Sequence, residues 1–517
     1  MYTFSSKLKT LSFVLMLVGI LGIGFGFLTA PKTIQDVEKI LKDEEAHHGG
    51  GHEAGAAHHE AKAESHETEA SHEATATAEA THEAAEKTVD SAVAHHEETA
   101  ATAHDTVEAT PAAEAHAETP VAHAEAEPAH EEHQADAHAD HAAHAEHVLH
   151  QLQNKPWAAL YVACIFFMLI SMGVLAFYGI QQVAQAGWSP VLFRVMQGIT
   201  AYLPVGSAIF FVILLVTGLH LFHSNHLFVW MAEGVTEKGH ENYDALIAGK
   251  SGYLNFPFWI IRAAIFIGGW NLYRYISRKN CLAQDEASDN FYYKKNFKAS
   301  AAFLVFFIVS ESIMSWDWIM SVDPHWFSTL FGWYVFASFF VSGITVIQLV
   351  TLYLKSKGYL ENVNSSHIHD LSKFMFGISV FWTYLWFSQF MLIWYANIPE
   401  EVTYFITRIN DYGITFWGAV AMNFVFPILL LINTDFKRIA WIIVMAGIVI
   451  LFGHYVDFFN MIMPATVGDR WFIGIPEISS LLFFLGLFIF VVFSALTKAP
   501  LLPKRNPFIE ESKHFHY

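Results

Sequence analysis

Ten long apolar stretches recur along the chain, separated by shorter polar segments. A helix needs roughly 20 predominantly apolar residues to cross the hydrocarbon core of a membrane, and each stretch is about that long. The pattern therefore predicts an all-α, polytopic membrane protein with about ten transmembrane helices. The predicted spans, numbered first to tenth, are residues 11–29, 157–185, 198–222, 254–276, 299–320, 328–354, 373–396, 412–432, 439–459 and 476–497.

Lysine and arginine are concentrated in every second loop, which sets the predicted orientation. The short loops on the predicted outer side carry only Lys238, Lys250, Arg408 and Arg470, whereas the loops on the other side are rich in basic residues. An even number of spans with both termini in the cytoplasm of a bacterial inner membrane satisfies this distribution. The first span is interpreted as a retained helix, with a cleaved secretory signal as the alternative.

The composition agrees with a lipid environment except in one segment. Hydrophobic residues make up 54% of the chain and charged residues 15%, yet the net charge is -20. Residues 30–156 contain 28 Asp and Glu against six Lys, and 20 of the 30 His lie in the same loop. Residues 46–150 have almost no large apolar side chain, so we expect them to be disordered or transiently helical. Such a tract is a solvated spacer or, alternatively, a metal-capturing or pH-sensitive tether.

Cysteine usage argues against a metal centre in this chain. Cys164 and Cys281 are too few for an Fe–S cluster or a cysteine-type zinc site, and no CxxCH motif for covalent haem is present. The sequence therefore predicts no metal site and no redox cofactor bound by this chain. We expect lipid to be a partner of this chain, and we expect no nucleic-acid partner.

Ionisable residues inside apolar spans are costly and mark candidate sites. The fifth span is the richest, because Glu311 lies near its middle, Asp317 lies nearer its outer end, and Asp323 and His325 follow it. Arg262 in the fourth span is a candidate partner for Glu311. A carboxylate within the hydrocarbon suits a proton relay or quinone chemistry, and a structural ion pair is the alternative.

Histidines near the outer ends of the third and ninth spans form a second candidate group. His220, His223 and His226 are spaced three residues apart and are predicted to share one helix face. His454 and Asp457, also three residues apart, can take and pass a proton. Ligation of a b-type haem by His220 and His454, hydrogen bonding to a quinone, and anchoring at the membrane interface all remain open here.

The outer ends of the odd-numbered spans share one chemical character. The seventh span stops at Pro399 and is followed by Glu400 and Glu401. The third, fifth, seventh and ninth spans thus all carry His, Asp or Glu at that end. A quinol oxidised near the outer face needs apolar walls, hydrogen-bond partners for two oxygens and acceptors for two protons. The sequence therefore favours a quinol site or an outer proton path.

Three segments resemble the NrfD (polysulfide reductase C-like) membrane subunits of bacterial alternative complex III. They are residues 315–329 (SWDWIMSVDPHWFST), 387–401 (FSQFMLIWYANIPEE) and 452–457 (FGHYVD). The likeness covers most of residues 157–497. Of the two paralogues in that complex, the chain is more similar to the F-type subunit.

The resemblance implies two four-helix bundles with one peripheral helix at each end. On this interpretation residues 1–30 form the first helix, 31–156 a periplasmic insertion outside the family core, 157–327 and 328–475 the two bundles, and 476–517 the last helix with a cytoplasmic tail. It also implies partnership with a multihaem cytochrome c, an Fe–S and molybdopterin-like subunit, a second NrfD-like subunit and small membrane subunits.

The complex that the resemblance implies oxidises menaquinol and passes electrons to cytochrome c or directly to a terminal oxidase. In that family the quinol site is usually placed in the C-type paralogue, and the F-type subunit is associated mainly with proton conduction. Three other functions compete with this one: a secondary transporter, a di-haem membrane cytochrome, and a scaffold that only holds catalytic subunits. A transporter predicts matched Gly or Pro breaks in two halves of the chain, and no matched pair emerges.

Overall fold

A computed structural model describes the backbone of residues 1–48 and 129–516, and the side chains of residues 1–44 and 143–516. Over these residues the protein is built of helices and connecting loops, without strands. The chain divides into two compact units, one formed by Met1–Leu41 with Asp140–Tyr517 and the other by Lys42–Ala139. The second unit is described only at its two ends, which are helical. Residues 49–128 of the predicted His-rich tract lie outside the described part.

Ten long helices are numbered α1 to α10; they form the body of the first unit, except that α2 begins within the second unit. They are α1 (Ser6–Thr29), α2 (Ala129–Val183), α3 (Pro190–Gly218), α4 (Phe256–Gln284), α5 (Phe291–Trp318), α6 (Phe331–Ser356), α7 (Ser365–Ala396), α8 (Gly413–Leu431), α9 (Ala440–Val467) and α10 (Ile475–Leu496). A further helix, Ile34–His48, follows α1, and Pro399–Asn410 connects α7 to α8.

Nine of these ten helices, among the residues described, are long and apolar enough to cross a membrane. The protein is therefore an all-α, multi-pass membrane protein, as predicted. The exception is α4, which corresponds to the fourth predicted span. It is 29 residues long, but it carries Arg262, Arg274 and Arg278, which lower its hydropathy. It nevertheless packs closely against its neighbour α5.

The long helices form two packed groups around a central contact. We call α2–α5 the first bundle and α6–α9 the second bundle. In the second bundle α6 packs against α7 and α9, and α5 joins the bundles by packing against α6. The centre is the crossing of α2 and α6, where the hydrogen of Gly173 faces the carbonyl oxygen of Phe339 and Gly343 abuts the backbone of Val174. The most apolar parts of α2 and α6 are almost entirely buried as a result.

The peripheral helices α1 and α10 pack against each other. α1 begins and α10 ends on the same side of the protein, where Tyr2 contacts Phe493. We call this the terminal side, and the opposite one the distal side. Gly19, Gly22 and Gly26 form a strip of small residues along α1, against which α10 lies directly. Small residues allow helix backbones to approach closely within lipid, where van der Waals packing drives association.

The glycine strip predicts a position-dependent loss of stability. A side chain at Gly22 would collide with Ser479 of α10, whereas one at Gly24 would meet nothing within 4 Å. We expect Gly22→Leu to lower the free energy of unfolding by about 1–3 kcal/mol through overpacking. Gly24→Leu should not lower it, because no clash arises and leucine favours a helix over glycine by up to about 1 kcal/mol. Thermal unfolding in mild detergent measures both variants, and equal effects would contradict this packing.

Candidate functional site

A buried ion pair occupies the distal end of the first bundle. Arg262 of α4 donates from Nε and one Nη to the two carboxylate oxygens of Asp317 of α5, at 2.7 and 2.9 Å. The guanidinium carbon lies 4.0 Å from the ring centre of Tyr253 and 4.1 Å from that of Phe258. Both charged side chains are buried. The two parallel hydrogen bonds and the aromatic faces fix the guanidinium in one orientation.

Glu311 is a separate polar point within α5. Arg262 was predicted to pair with it, and that pairing is wrong because the arginine reaches Asp317 instead. Helical rise places Glu311 about 9 Å deeper than Asp317. Its carboxylate accepts hydrogen bonds from Ser312 and Ser315, each at 3.2 Å, and forms no ion pair with any basic residue in the described part of the chain. Glu311 is thus a buried acid held by hydroxyl groups alone.

The second bundle contains a buried polar cluster centred on Asp457 of α9. One carboxylate oxygen accepts from the Tyr334 hydroxyl. The other accepts from Ser338 Oγ and from Trp382 Nε1, both at 2.9 Å. Asp457 is 2% exposed and His454 is fully buried beside it. Three neutral donors from two other helices thus surround this carboxylate, and sequence reasoning identified only the two residues on α9.

Ser338 joins His454 to Asp457. Its hydroxyl oxygen lies 2.9 Å from His454 Nδ1 and 2.9 Å from the carboxylate, whereas Nδ1 and the carboxylate are 3.8 Å apart. A hydroxyl group has one hydrogen to donate and lone pairs that accept. When it donates to the carboxylate, it can accept from the imidazole N–H. A proton can therefore pass from His454 to Asp457 through one hydroxyl, without water.

A small cavity connects Asp457 to a buried arginine. Its volume is about 10 Å³, enough for about one water molecule. Asp457, Tyr334 and Arg408 all line it. Arg408 comes from the amphipathic helix Pro399–Asn410, and its guanidinium donates to backbone carbonyl oxygens and lies 3.3 Å from the ring centre of Tyr404. The sequence placed Arg408 in an outer loop and did not predict that its side chain is buried.

A stripe of buried polar side chains runs along α6 from this cluster. Its members recur every three or four residues, so they share one helix face. The stripe extends for about 25 Å, most of the thickness of the hydrocarbon core. Near its far end Gln348 donates to Ser372 of α7 at 3.2 Å. The stripe consists of Tyr334, Ser338, Ser342, Thr345, Gln348 and Thr351.

The hydroxyl groups in the middle of the stripe donate their hydrogen bonds to the backbone of α6 itself. Ser342 and Thr345 donate to carbonyl oxygens four residues earlier on α6. Beside it, the π-helical turn Ala421–Val425 in α8 places Asn423 against Gly453, and both polar atoms of the Asn423 side chain lack a hydrogen-bond partner in the described structure. Such turns are frequent at functional sites. Water molecules at Asn423 and the stripe would be needed to complete a path.

The remaining predicted acidic residues lie on the distal surface, apart from both clusters. Asp323 is half-buried, Glu400 is exposed and Glu401 is half-buried. None of them lines the Asp457 cavity. Trp326 donates to the Glu401 carbonyl oxygen at 3.2 Å and thereby holds the helix Pro399–Asn410 over the second bundle. The predicted outer residues therefore do not form a single site.

His325 and Asp244 form an exposed pair in the distal loops. His325 Nε2 lies 2.6 Å from a carboxylate oxygen of Asp244, and the other oxygen caps the short helix Ala245–Gly249 by accepting from Leu246 and Ile247. The backbone N–H of Ile247 and then His325 lower the pKa of Asp244. This carboxylate thus couples a loop histidine to a helix cap.

We expect this cap to resist acid. Because the folded-state pKa of Asp244 is depressed, its stabilising contribution is present above the unfolded pKa, which is about 3.9, and is lost as the pH falls through the lower folded value. Amide hydrogen exchange at Leu246 and Ile247 should therefore stay protected at pH 4 and lose protection in stronger acid. Asp244→Asn should remove this pH dependence; a variant that keeps it would contradict the assignment.

The three histidines predicted on one face of the third span do not lie on a helix. α3 ends at Gly218, and His220 has φ +50°, a left-handed conformation that follows a helix end. His220 and His223 are exposed in the following loop, and His226 stacks on His150 with ring centres 4.5 Å apart. Burial and His150 lower the pKa of His226 to about 4. The predicted shared face is therefore wrong.

The positions of His220 and His454 also do not support the interpretation that these two histidines ligate a b-type haem. His454 lies inside the second bundle, where its contacts are Ser338, Trp382 and Asp457. Across residues whose side chains are described, no group of three or more His, Cys, Asp or Glu is placed to hold a metal ion. The chemistry that this arrangement supports best is proton transfer between buried side chains.

No protein-family model and no curated protein sequence matches this chain.

Proposed function

We propose that this multi-pass membrane protein is a subunit of a quinol-oxidising respiratory complex of the alternative complex III type, and that its second bundle conducts protons. The observation that carries the proton path is the single hydroxyl of Ser338 between His454 and Asp457. Asp457 lines a cavity with room for about one water molecule. The polar stripe of α6 begins at Tyr334 beside Asp457 and extends toward the terminal side. Buried ionisable groups in a membrane are retained chiefly for such functions.

The resemblance to NrfD-like subunits supports membership of a respiratory complex. The segment FGHYVD contains His454 and Asp457, and SWDWIMSVDPHWFST contains Asp317. The proposed partners are a multihaem cytochrome c, an Fe–S and molybdopterin-like subunit, a second NrfD-like subunit and small membrane subunits. Menaquinol is the proposed substrate of the complex, and the redox cofactors belong to those partners.

The proposed location is a bacterial inner membrane with both termini in the cytoplasm. This orientation follows from the excess of Lys and Arg in the loops on the terminal side. It places the Asp457 cavity and the Arg262–Asp317 pair toward the periplasm. Protons released by a quinol near that face would then have a short route to the outside.

Complex membership is tested by affinity purification of the tagged protein from its native membrane in mild detergent. Mass spectrometry should identify multihaem and Fe–S subunits, and a reduced-minus-oxidised spectrum should show c-type haem. That haem should disappear when the tagged chain is stripped of its partners. A chain that purifies alone without haem would contradict the respiratory assignment, and one that purifies alone with b-type haem would make it a cytochrome.

A further inference from the structure

A second, larger cavity lies on the terminal side, between α3, α4 and α10. Its volume is about 370 Å³, within the range of small-molecule sites, and it is open to the surroundings. Gln197, Arg274, Arg278 and Lys498 give it one polar wall. The rest of the lining is mainly apolar and includes Ala201, Pro204, Val205, Phe490, Val491 and Ala495. None of these residues belongs to the Asp457 cluster.

No carboxylate lines this cavity in the part of the chain that the structure describes. Arg274 and Arg278 are four residues apart on α4, so two like charges share one helix face, which destabilises a helix. The neighbouring Arg194 is neutralised by Asp285 at 2.5 Å, but neither cavity arginine pairs with a carboxylate among the residues described. Arg278 donates to neutral Gln197 at 2.9 Å, and Arg274 Nε is buried without a hydrogen-bond partner.

The shape of the site indicates what kind of anion would bind there. Lys498 follows the end of α10 at Leu496, so the cationic wall lies where the helices leave the hydrocarbon. The apolar wall continues from it along Phe490 and Val491, deeper in the membrane. A soluble anion would leave that wall uncovered, and a zwitterionic headgroup would bring an ammonium group toward three cations. An anionic headgroup with an attached acyl chain satisfies both walls.

We propose that this cavity binds an anionic phospholipid, with its phosphate at Arg274, Arg278 and Lys498 and an acyl chain against α10. Basic pockets between transmembrane helices on the cytoplasmic side are a recognised form of lipid site. The proposal is independent of quinol oxidation and of the proton path. It requires only that the cavity arginines, which pair with no carboxylate in the described part of the chain, obtain an anionic partner from the membrane.

Native mass spectrometry of the delipidated full-length protein tests this proposal. The probes are phosphatidylglycerol and phosphatidylcholine with identical acyl chains. Phosphatidylglycerol should bind about tenfold more tightly or better. The double variant Arg274→Gln/Arg278→Gln should lose about tenfold or more of that affinity, because each basic residue contributes roughly a factor of five near an anionic lipid. Lys279→Gln, an exposed position on the same helix, is the matched control and should be unchanged.

Two further measurements keep the outcome decisive. Ser494→Phe fills the cavity while keeping every charge, so it should weaken phosphatidylglycerol binding even if the double arginine variant fails to fold. Millimolar inorganic phosphate should not displace the lipid. Equal binding of the two lipids, full binding by Ser494→Phe, or displacement by phosphate would each overturn the proposal, the last in favour of a soluble anion.

Discussion

Proton release coupled to quinol oxidation should fall by about 100-fold when Asp457 is replaced by Asn, within the usual range for a group that transfers protons. The amide can still accept a hydrogen bond, but it cannot be protonated, so the relay from His454 through Ser338 ends. Its NH₂ group would also face a donor at either oxygen position, Tyr334 at one and Ser338 with Trp382 at the other. A pH-indicating dye inside proteoliposomes containing the purified complex measures the release.

A matched control separates this effect from a general loss of charge. Asp469 lies just after the end of the same helix, and its side chain is 63% exposed. Asp469→Asn should leave proton release unchanged. If the Asp457→Asn complex has normal subunit composition and releases protons at an unchanged rate, Asp457 does not lie on a proton path. Loss of the assembled complex would instead assign Asp457 a structural function.

The largest loss of stability is expected from Arg262→Met. The variant leaves the Asp317 carboxylate buried without its ion-pair partner, which costs about 3–5 kcal/mol in other proteins. Thermal and denaturant unfolding of the purified protein in detergent measure the change. Lys279→Met, at an exposed position of the same helix, should lie within about 0.5 kcal/mol of the unchanged protein.

A double variant shows whether the loss of stability in Arg262→Met comes from the lost ion pair or from the carboxylate that is left unpaired. Arg262→Met/Asp317→Leu removes both charges, and replacement of a buried pair by apolar residues is often neutral. We expect it to recover most of the stability lost in the single variant. If the double variant is as unstable as the sum of the two single variants, the two side chains do not act as a pair.

The apolar pattern predicted the helices well because lipid imposes a length and a composition on each span. It placed α6 and α10 within three residues of their observed bounds, but it missed eight residues at the start of α5 and eight at the end of α9. The predicted third span runs four residues beyond the observed end of α3 at Gly218, which removes the histidines from the helix. A run that stays apolar beyond the last helical turn gives no signal of where the helix stops.

The site was only partly predictable, because span positions do not reveal which helix faces meet. Asp317 and Asp457 were identified as ionisable residues in apolar spans, but Arg262 could not be assigned to Asp317 rather than Glu311. The donors Tyr334 and Trp382 are ordinary membrane residues until the packing places them on Asp457.

One sequence signal was available and could have identified more of the site. Ile308-Val309, Asp317 and Pro324 recur with identical spacing as Ile448-Val449, Asp457 and Pro464. The repeat places an equivalent buried aspartate at the distal end of α5 and of α9. In the first bundle it binds an arginine directly, and in the second it shares a cavity with one. Asp317, which is ion-paired with Arg262, is suited to a structural role. Asp457, which has no ion-paired arginine among the residues described, is suited to proton transfer.

The measurement that tests proton transfer at Asp457 most directly is a redox-induced infrared difference spectrum of the purified complex. Reduction with quinol should produce a carboxylic-acid C=O band that shifts with carboxyl-labelled aspartate and disappears in Asp457→Asn. The band should persist in Asp469→Asn. If no band is lost in Asp457→Asn while the complex turns over quinol, Asp457 does not change protonation, and the second bundle is not the proton path.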